Sequence, residues 1–144
     1  MIFEIFLDLK GDVVSWVGNG LKEHTCWVGQ NMTLGIKREG RLIAGIVFHD
    51  IRVRRDVWLT IFSTDKKWCN RRVLRAVFNI AFNFLKCQRV SVKVDALNFQ
   101  SQKLVEGLGF KKEGILRSYE DNGHDGFIYS MLKNECIWRT KGHE

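Results

Sequence analysis

The chain is 144 residues long, room for one ordinary domain and too short for two. Its 45% hydrophobic and 27% charged residues fit a globular chain rather than a disordered one, and ten Phe and five Trp supply bulky apolar area for a core. Lys and Arg outnumber Asp and Glu by 23 to 16, a formal charge of +7 that suits an anionic partner without choosing among nucleic acid, acidic protein and phosphorylated cofactor.

The opening stretch, 1–9, is apolar but short. It carries Glu4 and Asp8, lacks a basic leader and has no small-residue cleavage site. It does not read as a signal peptide, no stretch is long enough to span a bilayer, and the expectation is a cytoplasmic protein. Cys26, Cys69, Cys87 and Cys136 form no CxxC pair, so they read as ordinary reduced thiols and no metal site is expected.

Residues 12–23 predict a helix, with Asp12 placed as N-cap and Val13, Val14, Val17 and Leu21 near helical spacing. Residues 31–38 and 41–50 predict two strands joined at Glu39–Gly40, a tight-turn signal. The second is apolar on both faces and is therefore a covered strand. Residues 56–63 predict a third strand. Over 69–86, Val73, Leu74, Val77, Phe78, Ala81, Phe82 and Leu85 form one apolar helical stripe, with Arg72, Arg75, Asn79, Asn83 and Lys86 opposite. In 89–95, Val90, Val92 and Val94 alternate with polar residues as in a strand. Asn98 then caps a short helix that stops at Gly109, and strands at about 110–119 and 126–134 flank a turn-rich segment. Helix, three-strand meander, helix, strand, helix and two strands imply an α+β (α/β) fold: a mixed, mostly antiparallel sheet with helices on both faces.

The junction of strand 56–63 with helix 69–86 carries the chemistry. Lys66, Lys67, Arg71, Arg72 and Arg75 crowd a helix N-terminus that is already electropositive because its first N–H groups lack partners. Cations there oppose the helix dipole and make sense if an anion docks; a solvated basic helix end is the plain alternative.

From Trp58 to Leu132 the chain resembles the core of the GNAT acyltransferases. The resemblance rests on Asn98, Ser101, Leu104, Glu106, Gly109-Phe110, Glu113-Gly114 and Arg117, which match N-x-x-S-x-x-L-x-E-x-x-G-F-x-x-E-G-x-x-R of the ribosomal-protein and aminoglycoside-modifying branches, continued by Asp125, Tyr129, Met131 and Leu132. Gly45, His49-Asp50, and Trp68 followed by Arg71-Arg72-Val73-Leu74 also resemble small GNAT-like proteins of tailed phages, for which the compartment is the host cytoplasm. Together these cover nearly the whole chain, residues 1–10 least.

The resemblance implies a single domain over 1–144 that transfers an acetyl group from acetyl-CoA to a primary amine, by direct attack on the thioester and without a metal. It assigns the cofactor to Thr60, Ile61 and Phe62 (backbone donors to the acyl carbonyl), to the loop Lys66, Trp68, Cys69, Asn70, Arg71 and Arg72 (pyrophosphate), and to Asn98 and Ser101 (pantetheine arm). Lys66 stands where the family has Arg or Gln, but Cys69 and Arg71 stand where glycines let backbone approach phosphate. Asp56 or His49, with Asp50, is the candidate base; the usual acid, a Tyr, is replaced by Val105, leaving Tyr119, Tyr129 or water. The family also makes a homodimer an expected assembly.

Two other classes fit parts of the sequence. Cys69, Arg71 and Val105 suit a degenerate GNAT-fold interaction module. The +7 charge and five Trp suit a nucleic-acid binder, but the Trp residues are scattered and no RNP, KH or zinc motif accompanies them.

Overall fold

Glu39 and Gly40 both adopt positive φ, 52° and 80°, so the chain reverses in a two-residue hairpin between β2 (Met32–Arg38) and β3 (Arg41–Arg52). The computed structural model describes residues 2–21 and 31–142. A second reversal, with Arg54 at φ 70°, joins β3 to β4 (Asp56–Ser63). β3 runs two residues past the expected end, through an irregularity between His49 and Arg52 where Asp50 takes φ 48°.

Ahead of this meander lies a strand the sequence did not announce. β1 (Phe3–Leu7) pairs antiparallel with β2, from Phe3↔Arg38 to Leu7↔Leu34. Phe3 and Ile5 pack on one face of the sheet and Phe6 on the other, so no polar–apolar alternation betrays it.

α1 (Asp12–Leu21) follows; the last two residues of the expected helix, like Cys26, lie outside the described residues. Its cap is not Asp12, which sits inside the first turn. Asp8 accepts from the Val13 N–H at 2.8 Å, and the Gly11 carbonyl accepts from Ser15 N–H at 3.2 Å. Val13 and Val17 bury against Val47, and the Trp16 and Phe62 rings meet edge to face at 5.1 Å. Gly45 admits this approach: a Cβ there would lie 2.4 Å from Val17 Cγ2.

On the opposite face, α2 (Arg71–Phe78) is capped by Asn70, which accepts from Val73 N–H at 3.1 Å, and passes into a π-helical segment (Asn79–Phe84). The predicted stripe from Val73 to Leu85 is buried throughout. The helix starts two residues later than expected because Lys66–Trp68 form a separate 3-10 turn, and it stops where Lys86 adopts φ 59°. β5 (Arg89–Asp95) then runs parallel to β4, and α3 (Phe99–Leu108) ends at Gly109 with φ 110°, a left-handed C-terminal cap.

β6 (Lys111–Leu116) and β7 (Gly126–Leu132) close the sheet, whose order is β1-β2-β3-β4-β5-β7-β6. Both are shorter than 110–119 and 126–134. Ser118 turns away at φ 53°, and Lys133–Glu135 form a 3-10 turn. Among the described residues only the β4–β5 pair is parallel, and helices cover both faces, as the sequence implied. The last described segment packs back on α2 and α3: Trp138 donates to the Leu108 carbonyl at 2.9 Å, and Asn79 and Asn83 both bond Thr140.

Candidate active site

β4 and β5 pair over only four residues, Asp56↔Arg89 to Leu59↔Val92. Beyond that point β4 continues to Ser63, held by β3, and β5 continues to Asp95, held by β7. The two strands therefore part, and unpaired backbone lines the opening. Thr64 N–H donates to the Ile43 carbonyl at 2.9 Å, and the β3–β4 register runs unbroken from Ala44↔Ser63 to His49↔Trp58. Alternation then turns the N–H groups of Phe62 and Thr60 toward β3, and those of Ile61 and Ser63 into the opening. This corrects the expectation for two of the three residues: of Thr60, Ile61 and Phe62, only Ile61 presents its amide to the gap. Ser63 joins it, at a position that strand periodicity fixes once the neighbour is known.

The loop leaving β4 leads straight to the N-terminus of α2. Asp65 accepts from Lys67 N–H at 2.9 Å and pairs with Arg38 at 2.7 Å; the Lys67 amide first, then Arg38, hold its carboxyl below the ordinary range. Its charge is thereby matched at the entrance to α2. Asn70 caps the helix and donates to the Lys67 carbonyl at 3.1 Å, leaving the Arg71 and Arg72 amides at the first turn. Lys66 and Lys67 are exposed beside them. Cys69 lies at φ −84° and Arg71 opens α2, so neither residue at a usual glycine position adopts a positive φ.

Two expected loop contacts are redirected. Trp68 is 3% exposed and belongs to the core, so only its backbone can serve a ligand. Arg72 donates to the Phe3 carbonyl of β1 at 3.1 Å, a partner invisible while β1 was unrecognised. The Arg71 guanidinium rests over the Trp138 ring at 5.7 Å, still at the mouth of the loop. Cys69 is half-buried, and burial raises its thiol above the usual range.

Across the opening, Asn98 accepts from Ser101 N–H at 3.0 Å and so caps α3, with Ser101 half-buried one turn along. Val105 is buried in the core. Tyr129 is also buried, its hydroxyl on Glu106 at 3.2 Å; burial, then Glu106, raise it above the usual phenol range. Tyr119 is exposed beside Lys93, whose ammonium lies 5.4 Å from its ring, at the C-terminal end of β5. Lys93 also pairs with Glu120, and Asp95 takes Asn122, His124 and the Leu97 amide, pinning the β6–β7 turn to the rim of the opening. Single-residue inspection had no signal for these cross-strand links.

Asp56, Trp58 and Thr60 alternate with the buried Val57 and Leu59 and face the side of the sheet that carries α1. There His49 Nε2 meets Thr60 Oγ1 at 2.8 Å and Nδ1 meets Asp50 at 2.6 Å. Next along the face is a cavity of about 610 Å³ lined by Asp56, Trp58, Arg52, Arg55, Arg89 and Glu113 among others. Asp56 accepts from Ser91 Oγ at 2.8 Å, and Arg89 Nε stands 3.5 Å from it. The structure thus separates the two candidate bases. His49 stands opposite Trp58 in the β3–β4 register and reaches the Thr60 hydroxyl, while Asp56 lies two residues behind Trp58, roughly 7 Å along the strand.

Parted strands, unspent amides and a basic helix entrance together can bind an extended ligand with an anionic end and hold a carbonyl against backbone donors. Among the described residues, no group of three or more His, Cys, Asp or Glu is placed to hold a metal ion.

No family model matches the chain. It is 37% identical over 65 residues to an uncharacterised N-acetyltransferase p20 of Bacillus licheniformis, a match spanning 43% of this chain and 36% of that protein, about a third of its length. Among solved structures, a probable acetyltransferase is 27% identical, covering 74% of this chain and 64% of its own, with a TM-score of 0.65. The spermidine/spermine N-acetyltransferase SpeG of Vibrio cholerae superposes over 92% of this chain and 96% of its own at 14% identity, with a TM-score of 0.76. A spermidine N-acetyltransferase of the same organism, described as dodecameric, gives 0.77 over 92% and 94% at 15% identity.

Proposed function

For a chain with the GNAT fold, we propose the function of an N-acetyltransferase that moves an acetyl group from acetyl-CoA to a primary amine. The parting of β4 from β5 after Leu59 and Val92 carries this reading, because it leaves amides unpaired beside a basic helix entrance.

Acetyl-CoA supplies an activated acyl thioester. Its phosphates fit the Arg71 and Arg72 amides at the first turn of α2, with Lys66, Lys67 and Arg71 adding charge; its pantetheine arm fits between β4 and the start of α3 at Asn98 and Ser101. Trp68, Cys69 and Asn70 contribute the backbone and cap that shape the loop. The Ile61 and Ser63 amides would hold the acyl oxygen as negative charge gathers on it, an effect of roughly 3 kcal/mol per well-placed donor.

His49 is the preferred base. With Asp50 holding the Nδ1 proton, Nε2 accepts from the Thr60 hydroxyl, a route by which the amine proton reaches the imidazole. The amine nitrogen bonds to the acyl carbon, the carbon–sulfur bond breaks and the thiolate leaves. Tyr119 stands at the rim to protonate it, although a thiolate leaves adequately alone. Asp56, tied to Ser91 and Arg89, is the second choice. Assembly with further copies of the chain is part of the proposal, supported by the dodecameric neighbour.

Thermal unfolding with and without acetyl-CoA tests this. At 100 times its dissociation constant a ligand adds about 2.7 kcal/mol, a rise of several degrees. The rise should vanish in Lys66→Glu/Arg71→Glu. No rise at millimolar acetyl-CoA overturns the proposal and leaves the interaction-module alternative.

A further inference from the structure

The acceptor's chemistry is written in the cavity beside the opening. Its walls carry three guanidinium groups, Arg52, Arg55 and Arg89, against two carboxylates, Asp56 and Glu113. Both carboxylates are already taken: Arg89 bonds Glu113 at 2.5 Å and lies 3.5 Å from Asp56, which also accepts from Ser91. Arg89, its strongest partner, holds the Glu113 carboxyl below its ordinary range. The side chains of Arg52 and Arg55 have no hydrogen-bond or ion-pair partner among the described residues. Arg52 stands opposite Asp56 in the β3–β4 register and Arg55 precedes it, so the two flank one end of the cavity.

Trp58, level with His49 in the β3–β4 register, lies between that end and Thr60, and Ile128 and Leu132 of β7 complete the lining. An acceptor lying along β4 passes over an apolar, aromatic stretch with a proton acceptor at one end and two uncommitted arginines at the other. Four strand residues separate the ends, roughly 13 Å between Cα positions, and the reach of arginine shortens this to about 10 Å. That equals the span of about three extended residues.

We propose that the acceptor is a short, extended, peptide-like amine carrying a carboxylate about 10 Å from the reacting nitrogen, and that Arg52 and Arg55 bind this carboxylate. A polyamine presents positive charge where the cavity already has an excess of it, so the acceptor class differs from that named for the structural neighbours. The inference rests on the proposed acetyl transfer only for the identity of the reacting end.

The test compares Ala-Ala-Ala as free acid, the same tripeptide as its C-terminal amide, and spermidine, by calorimetric titration in the presence of CoA and by CoA release from acetyl-CoA. The free acid should bind about tenfold or more tightly than the amide and show the lower KM, and spermidine should be the poorest of the three. In Arg52→Gln/Arg55→Gln, or in Arg55→Gln alone should the double variant misfold, the acid-to-amide ratio should fall toward one. Equal affinity for acid and amide, preference for spermidine, or an undiminished ratio in the arginine variants overturns the inference. A thermal shift with acetyl-CoA alongside equal acid and amide binding would leave the transferase proposal standing without it. Acid-selective binding without that shift would do the reverse.

Discussion

Replacing Gly45 by alanine should lever α1 off the sheet. The added Cβ would sit 2.4 Å from Val17 Cγ2 and 2.8 Å from Val13 Cγ1, far inside van der Waals contact. Neither valine can swing away, since Val17 is 0% and Val13 2% exposed. Overpacking of this kind costs about 1–3 kcal/mol, partly offset by roughly 0.4–1 kcal/mol from restricting the unfolded chain. A net loss of about 1–2 kcal/mol lowers the midpoint of thermal unfolding by roughly 2–8 °C. Val17→Ala in the same molecule makes room for the methyl, so the double variant should lose less than the two single changes summed. Gly107→Ala is the control: nothing lies within 4 Å of its Cβ, and an exposed alanine in the last turn of α3 should raise the midpoint slightly. If Gly45→Ala unfolds within a degree of the parent, or the two changes add, α1 does not seat on β3 as described.

The remaining expectations concern protons. His49→Gln should lower kcat by about 100-fold or more, while Asp50→Asn should cost less; a parent-like kcat in His49→Gln would remove it from the mechanism. Asp65, Asp95, Glu113 and Glu135 sit below the ordinary carboxylate range, held respectively by the Lys67 amide, the Leu97 amide, Arg89 and Lys111. The unfolded chain binds protons more readily at these sites, so their stabilisation is full above the ordinary range and drains away as pH falls through the depressed folded values. The urea midpoint should therefore drop below about pH 4, less steeply in Asp95→Asn; a flat profile from pH 6 to 3 would contradict these contacts.

Local signals made much of this molecule readable. The Val73–Leu85 stripe, the Glu39–Gly40 reversal and the Asn98 and Gly109 caps are dictated within a few residues of themselves, and each appears as expected. What escaped depends on distant partners. β1 exists because β2 lies about 30 residues later, and the bond of the Arg72 side chain to the Phe3 carbonyl is the same omission seen from the other side. Trp68 looks like a loop aromatic in sequence and is a core residue because the 3-10 turn drops it inward. At the site, sequence located β4, but which of its amides face the opening follows from the β3 register, and the arginine-lined end from the pairing of Arg52 with Asp56. The strand alternation that hides Ser91 between two valines leaves its bond to Asp56 unreadable without the fold.

The π-helical segment makes the chain one residue longer than the space it crosses. A π turn carries an extra residue over an α turn, so a single-residue deletion within 79–84 has a slot to absorb it that no other stretch of α2 offers. The surplus is not idle. It sets Asn79 and Asn83, themselves joined at 2.9 Å, where both grip Thr140. Shortening the helix would spare its core stripe and unfasten the tail, and with it Trp138, on which Arg71 rests at the first turn of α2. An alteration hidden in the middle of a helix would thus be felt at its first turn.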